Sequence, residues 1–155
     1  MTEGIGRGKL EDQGVWDFMF AGKAIFTVQS PSGQHRTFKI LKVQGEGYDR
    51  PIWTVMVMYG QSNETDYRRI GYIVGDPKER KVYFKGAKNL PQNHASIQAF
   101  VWVLRRSEKG NFNSKIGKAK IYHEGRCGRC GRRLTVPSSI NRGLGPHCAL
   151  VSLGE

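Results

Sequence analysis

The sequence predicts an α+β fold in which an antiparallel meander sheet of about five strands packs against one helix. Two observations support this prediction. Five short segments rich in β-branched and aromatic residues follow one another without a helical segment between them, and one amphipathic segment comes after the fifth. Consecutive strands without helical crossovers pair as antiparallel sheets, because parallel pairing needs a long connection. A small C-terminal module that contains all three cysteines completes the predicted architecture.

The five predicted strands are separated by turn sequences. AIFTVQS and RTFKILKV alternate apolar and polar residues on either side of PSGQH, which is typical of a hairpin. PIWTVMVMYG and YRRIGYIVG repeat this arrangement around QSNETD, and KVYFKG follows the turn GDPKER. Tyr83 and Phe84 are neighbours in the fifth strand and must point to opposite faces, so one of them is expected outside the core.

The segment IQAFVWVLRRSEKG predicts the helix, with Ser96 as its N-cap and Gly110 as its end. Helical spacing places four apolar side chains on one face: Ile97, Phe100, Val101 and Leu104. The following residues, NFNSKIGKAKIYH, predict a linker and a short strand that leads to the cysteines.

Composition divides the chain into three regions. Residues 1–20 are polar and glycine-rich and end in the apolar stretch VWDFMF, so they predict a flexible lead with an apolar anchor. Residues 21–112 hold the predicted sheet and helix, and residues 113–155 hold the linker strand and the cysteine module. No apolar run approaches the roughly 18 residues of a membrane span, and the N-terminus lacks the apolar core of a signal peptide. We therefore expect a soluble intracellular protein with no membrane partner.

The positive charge is concentrated in one part of the chain. The sequence has 25 Lys and Arg against 13 Asp and Glu, a formal net charge of +12. Residues 1–77 carry nine of each sign, whereas residues 78–133 carry fifteen cations and three carboxylates. If the Lys and Arg residues only formed a solvated surface of mixed sign, they would be scattered along the whole chain. Concentration in one segment instead favours a surface that faces a polyanion, which in an intracellular protein is usually nucleic acid.

The cysteine module has the spacing of a zinc site. Cys127 and Cys130 form a C-x2-C pair, and Cys148 follows after a loop of a length normal in small zinc modules. A histidine must close the site, because three cysteines would leave one tetrahedral position open. His123 precedes the pair by four residues. His147 is adjacent to Cys148, and the side chains of adjacent residues point in different directions, so His147 is less suited to bind the same ion. We favour His123, with His147 as the alternative fourth ligand. The sequence thus predicts a small C-terminal zinc knuckle.

Enzymatic interpretations of this segment fit less well. A redox C-x-x-C pair lies at a helix N-terminus in a βαβ unit, whereas this pair follows a predicted strand in a glycine-containing turn. HEGRC lacks the second histidine of a zinc-protease helix, and its adjacent His and Glu do not have the spacing of a zinc deaminase. A zinc ion with four protein ligands stabilises a module too small to build its own core. We therefore predict a non-enzymatic protein.

Cations beside and upstream of the cysteines are the predicted nucleic-acid contacts. They are Arg126, Arg129, Arg132, Arg133, Lys115, Lys118, Lys120, Arg105, Arg106 and Lys85. Aromatic residues of the sheet could add base stacking if they lie on an exposed face. The candidates are Tyr67, Tyr72, Tyr83 and Phe84.

The stretch HEGRCGRCGRRLTVPSSINRGLGPHCA resembles a short zinc-binding module of unknown function found in phage and prophage proteins. The shared features are C-G-R-C-G-R-x-L-T, P-x-S-I and G-x-G-P-x-C, which span Cys127 to Cys148. The resemblance implies a phage or prophage origin and a Zn²⁺ cofactor. It also favours His123 as a ligand, because such proteins often keep HEGRC while the residue at position 147 varies. It implies no known activity.

The predicted function is a zinc-stabilised, non-enzymatic nucleic-acid-binding accessory protein of a phage. We expect it to act in the cytoplasm of a bacterial host, to tolerate different sequences, and to favour DNA over RNA and single strands over duplexes. No small-molecule substrate is expected. The alternative is a phage-encoded inhibitor or adaptor that binds a host nuclease, polymerase or defence complex through its basic segment.

Overall fold

The computed structural model describes residues 8–10, 12–29, 35–44, 50–59, 67–109, 120–123 and 127–130. These residues form a seven-stranded antiparallel sheet and two helices. The strands are β1 (Gly8–Leu10), β2 (Lys23–Gln29), β3 (His35–Val43), β4 (Ile52–Met58), β5 (Tyr67–Asp76), β6 (Lys81–Gly86) and β7 (Lys120–His123). The helices are α1 (Asp12–Met19) and α2 (Ala95–Lys109). The predicted α+β class is confirmed. Strand β1 and helix α1 were not predicted, and β7, which was predicted as a separate short strand, belongs to the sheet.

The strand order is β1-β7-β2-β3-β4-β5-β6. The five predicted strands form the continuous meander β2 to β6. The additional strands extend the sheet beyond β2, where β7 pairs with β2 on one side and with β1 on the other. His123 lies opposite Phe26 of β2 and Gly8 of β1. The strand predicted to lead into the cysteine module is therefore an interior strand of the sheet.

Helix α1 lies in the segment predicted to be a flexible lead. Its sequence, DQGVWDFM, is short and contains a glycine, so its local preference for helix is weak. Tertiary burial compensates for this weakness, because four of its side chains are buried against the sheet and α2. These are Val15, Trp16, Phe18 and Met19. No helix among the described residues is long and apolar enough to cross a membrane.

Helix α2 begins one residue before the predicted N-cap. The ring nitrogen Nδ1 of His94 accepts a hydrogen bond from the backbone N–H of Ser96 at 3.2 Å, so His94 is the N-cap. The prediction of Ser96 as N-cap was wrong, because a histidine ring can accept the N–H as the usual Ser or Asp side chain does. Ser96 is buried inside the helix, and its hydroxyl accepts a hydrogen bond from Arg36 at 3.2 Å.

The core lies between one face of the sheet and the two helices. Phe100 of α2 packs edge-on against Phe38, with ring centroids 5.4 Å apart, and also contacts Phe84. Phe18 of α1 packs edge-on against Phe26 at 6.3 Å. On the predicted helix face, Val101 is only half-buried. Val103, which was not predicted to face the core, is buried. Both helices thus cover the same face of the sheet.

Arg80, in the turn between β5 and β6, connects the two helices. Its guanidinium lies 5.0 Å from the ring centroid of Trp16 in α1. It also donates hydrogen bonds to the carbonyl oxygens of Ser107 and Glu108, at 3.3 and 2.7 Å. These carbonyls belong to the last turn of α2, where a cation is favoured by the helix dipole. One side chain therefore holds the end of α2 beside α1.

Candidate functional site

The C-x-x-C segment forms a turn that is attached to the sheet. The backbone N–H of Arg129 donates a hydrogen bond to Sγ of Cys127 at 3.4 Å. The backbone N–H of Lys23, the first residue of β2, donates a hydrogen bond to the carbonyl oxygen of Gly128. Cys127 is buried, whereas Cys130 is exposed. The turn thus presents one buried and one accessible thiol while its backbone is held at the start of β2.

Two glycines permit this close contact between the turn and the sheet. Gly22, between α1 and β2, has a φ of 139°, and a Cβ on it would lie 3.2 Å from the carbonyl oxygen of Arg129. A Cβ on Gly128 would lie 2.7 Å from two atoms of the Phe18 ring. A larger residue at either position would push the turn away from helix α1 and strand β2.

His123 lies on the buried face of the sheet. It is 0% exposed, and its ring centroid is 5.9 Å from that of Phe18, at an interplanar angle of 36°. The ring of Phe18 therefore contacts both the histidine and the C-x-x-C turn. This arrangement connects the end of β7 to the turn through one buried aromatic side chain.

The C-x-x-C turn contains two of the four predicted zinc ligands, Cys127 and Cys130. A thiolate that accepts a backbone N–H is stabilised as an anion, which is the form that binds Zn²⁺. Within the described residues, no group of three or more His, Cys, Asp or Glu side chains could hold a metal ion. His123, Cys127 and Cys130 are among those residues, whereas Cys148 and His147 lie outside them. The ligand set of His123, Cys127, Cys130 and Cys148 therefore stays a prediction.

The predicted nucleic-acid contacts that the structure describes do not share one surface. Lys85 lies on β6, on the sheet face opposite the helices. Arg105 and Arg106 lie on α2, where Arg105 pairs with Glu108 at 3.3 Å and Arg106 lies 5.1 Å from the ring centroid of Trp102. Arg129 is in the C-x-x-C turn, and Lys120 is the first residue of β7. The others lie outside the described residues: Lys115, Lys118, Arg126, Arg132 and Arg133.

The sheet face opposite the helices carries cations and tyrosines in adjacent rows. We call it the open face and define it by two rows of paired residues. The first row is Lys23, Leu41, Thr54, Tyr72 and Lys85. The second row is Ile25, Lys39, Met56 and Arg69. Tyr67, Val74 and Tyr83 flank these rows on β5 and β6.

The open face is accessible to solvent. Every residue of the two rows is half-buried or exposed, whereas the alternate residues on the helix side of β2, β3 and β4 form the core. Tyr83 is 61% exposed, while its neighbour Phe84 packs against the core. Of the two, Tyr83 is therefore the side chain outside the core. Tyr67 and Tyr72 are half-buried on the same face.

Cations lie over the tyrosine rings of the open face. Nζ of Lys39 is 5.1 Å from the ring centroid of Tyr67, and the guanidinium carbon of Arg69 is 5.5 Å from that of Tyr72. Among the described strand residues, Asp76 at the end of β5 is the single carboxylate. The face therefore combines flat aromatic groups with an excess of positive charge.

Three of the four cations on the open face were not predicted as nucleic-acid contacts from the sequence. Lys23, Lys39 and Arg69 lie in residues 1–77, where the net charge is zero, so the charge distribution along the chain did not indicate them. The alternation of side chains along each strand could have identified these cations. Arg69 and Lys39 fall on the polar side of their strands, and Lys85 lies directly across from Tyr72.

Comparison with known proteins finds a match in the C-terminal part of the chain. Residues 118–150 match a family of unknown function, DUF6011. The matched segment includes β7 and the four favoured zinc ligands. Neither a curated protein nor a solved structure matches the chain. The C-terminal segment is thus similar to this family, whose activity is not established.

Proposed function

We propose that this chain is a zinc-stabilised, non-enzymatic nucleic-acid-binding accessory protein of a phage. In this proposal a single strand, DNA in preference to RNA, lies on the open face without strong sequence preference. One observation carries the proposal: three tyrosines, of which Tyr83 is exposed, and four cations share one sheet face whose described strands contain a single carboxylate. The four cations are Lys23, Lys39, Arg69 and Lys85.

The chemistry of the open face suits a single strand better than a duplex. Unpaired bases stack on aromatic rings and on arginine guanidinium planes, and such stacking tolerates any base. Tyr83 offers an exposed ring, and the Arg69–Tyr72 pair offers a second flat surface. Lys23 and Lys85 lie at opposite ends of one row, so they can contact phosphates on both sides of the stacked bases.

In the same proposal, zinc stabilises the C-terminal module. His123, Cys127, Cys130 and Cys148 would hold the ion, with His147 as the alternative to His123. A bound zinc ion supplies folding free energy to a segment too short to form its own core. The attachment of the C-x-x-C turn to Phe18 and Lys23 supports this role, because it connects the module to the sheet.

Fluorescence anisotropy with labelled oligonucleotides of mixed sequence tests the binding proposal. Contacts from four cations to a single strand predict that a rise in salt of about fourfold weakens binding by about 50-fold. Tyr83→Ala removes a stacking surface and is expected to weaken single-strand binding by about tenfold. Tyr72→Ala is expected to act in the same direction. Duplex DNA of the same sequence is expected to bind less tightly.

Trp102→Ala is the matched control. Trp102 on α2 also stacks with an arginine and is 37% exposed, but it lies on the helix side of the sheet. Its loss is expected to leave binding unchanged. Equal weakening by Tyr83→Ala and Trp102→Ala would contradict the open-face assignment. Absence of oligonucleotide binding would contradict the proposal itself and leave the inhibitor or adaptor as the remaining candidate.

A further inference from the structure

A cleft of about 520 Å³ opens on the helix side of the sheet, beside the C-x-x-C turn. It lies where the end of α1, the start of β4 and the turn between β5 and β6 meet. Its volume falls within the range of small-ligand pockets, roughly 300–1,000 Å³. The sheet separates it from the open face, since Trp53 and Lys42 alternate with residues of that face.

Four cationic side chains from separate segments line this cleft. Lys42 comes from β3, Arg50 from the segment before β4, Lys78 from the turn after β5, and Arg129 from the C-x-x-C turn. Lys42 also lies 5.9 Å from the ring centroid of Trp53. Residues distant in sequence thus converge on one concave surface.

Two carboxylates also line the cleft, and they leave a formal excess of two positive charges. Oδ1 of Asp76 accepts a hydrogen bond from the backbone N–H of Lys78 at 3.0 Å, so this carboxylate is already engaged in the turn. Burial raises the pKa of Asp17, although attraction to Arg80 opposes the rise. The cleft therefore favours an anion over a neutral or cationic ligand.

Two indole rings lie in the wall of the cleft. Nε1 of Trp16 donates to the carbonyl oxygen of Pro77 at 2.8 Å, and Nε1 of Trp53 donates to that of Phe20 at 3.3 Å. Both rings are buried, each 4% exposed, so the apolar surface that a ligand can reach comes mainly from three half-buried lining residues, Ala21, Pro51 and Pro77. An inorganic anion would leave this surface and most of the volume unused.

We infer that this cleft binds a nucleotide through its terminal phosphate, with the base against the apolar side formed by Ala21, Pro51 and Pro77 and the phosphate at the four cations. A phosphomonoester carries about two negative charges at neutral pH, which matches the excess in the cleft. Arginines and lysines are suited to phosphate oxygens. The nucleotide is either free or the phosphorylated end of a strand. The inference goes beyond the proposed function, because it requires no contact with the open face.

Calorimetric titration of the full chain tests the inference. Adenosine monophosphate is expected to bind more tightly than adenosine or inorganic phosphate, because each of these lacks one half of the recognised group. Arg50→Ala and Lys42→Gln are each expected to weaken this binding by about tenfold, the loss of one charge-assisted contact. Both side chains are exposed, and a thermal melt of each variant verifies that it folds.

Lys85→Ala on the open face is the matched control and is expected to leave nucleotide binding unchanged. A 5′-phosphorylated trinucleotide, compared with its 5′-hydroxyl form, distinguishes the two sources. Tighter binding of the phosphorylated form supports a strand end, and binding of the mononucleotide alone supports a free nucleotide. Adenosine binding as tightly as the monophosphate, or unchanged binding in both cleft variants, would overturn the inference. Loss of oligonucleotide binding through Tyr83→Ala bears on the open face alone.

Discussion

Replacement of Gly128 by alanine tests whether the C-x-x-C turn is docked against helix α1. The new Cβ would lie 2.7 Å from Cδ1 and Cε1 of Phe18 and 3.3 Å from its carbonyl oxygen. Carbon atoms in contact normally lie about 3.5–4.0 Å apart, so the ring or the turn must move by about 1 Å. Phe18 is 1% exposed and packs against Phe26 and His123, so its ring has little room.

Overpacking of this kind costs about 1–3 kcal/mol of unfolding free energy. For a chain of this size, each kcal/mol lowers the unfolding midpoint by about 2–4 °C. Thermal and urea unfolding of Gly128→Ala are therefore expected to show a clear loss of stability. Gly86→Ala is the matched control, because its Cβ would lie at an ordinary 3.5 Å from Ile97 and Gly86 is exposed. It is expected to change stability little.

A double-mutant cycle identifies the contact itself. Phe18→Leu removes the ring edge that meets the new methyl group, so Gly128→Ala is expected to cost less in that background than in the wild type. Equal costs in both backgrounds, or a Gly128→Ala protein as stable as the wild type, would refute the docking of the turn on Phe18. The cycle tests packing alone and does not depend on the zinc prediction.

Two further predictions concern the metal and the cleft. Zinc content measured on the purified chain is expected to be lost in Cys148→Ser and His123→Asn and kept in His147→Ala; the reverse result for the two histidines would identify His147 as the fourth ligand. Asp17→Asn is expected to raise the unfolding free energy slightly at neutral pH. Partial burial raises the folded-state pKa of Asp17 above its unfolded value, so stability falls as pH rises between the two values, but solvent screens much of this effect because the side chain is exposed. The gain in unfolding free energy is expected to vanish below the ordinary carboxyl pKa of about 4. Urea unfolding that shows an equal gain at neutral pH and below about pH 4 would contradict this prediction.

Local pattern was sufficient for the meander and for helix α2. The strands β2 to β6 alternate apolar and polar residues between glycine-containing or polar turns, so their bounds follow from the chain itself to within two residues. The same alternation assigns Tyr83 to the open face and Phe84 to the core. The C-x2-C spacing likewise identified the C-terminal segment that matches a family of unknown function.

Long-range pairing decided the rest. Strand β7 lies between β1 and β2 although about a hundred residues separate it from them, and β1 is too short to show alternation. Helix α1 depends on burial of Trp16 and Phe18 and not on its own helix preference. The open face joins cations from four strands, and the cleft joins cations from four segments. Sequence alone determined which residues alternate or repeat, because that information is local. Tertiary structure decided which charges and rings meet, because such meetings depend on contacts between distant parts of the chain.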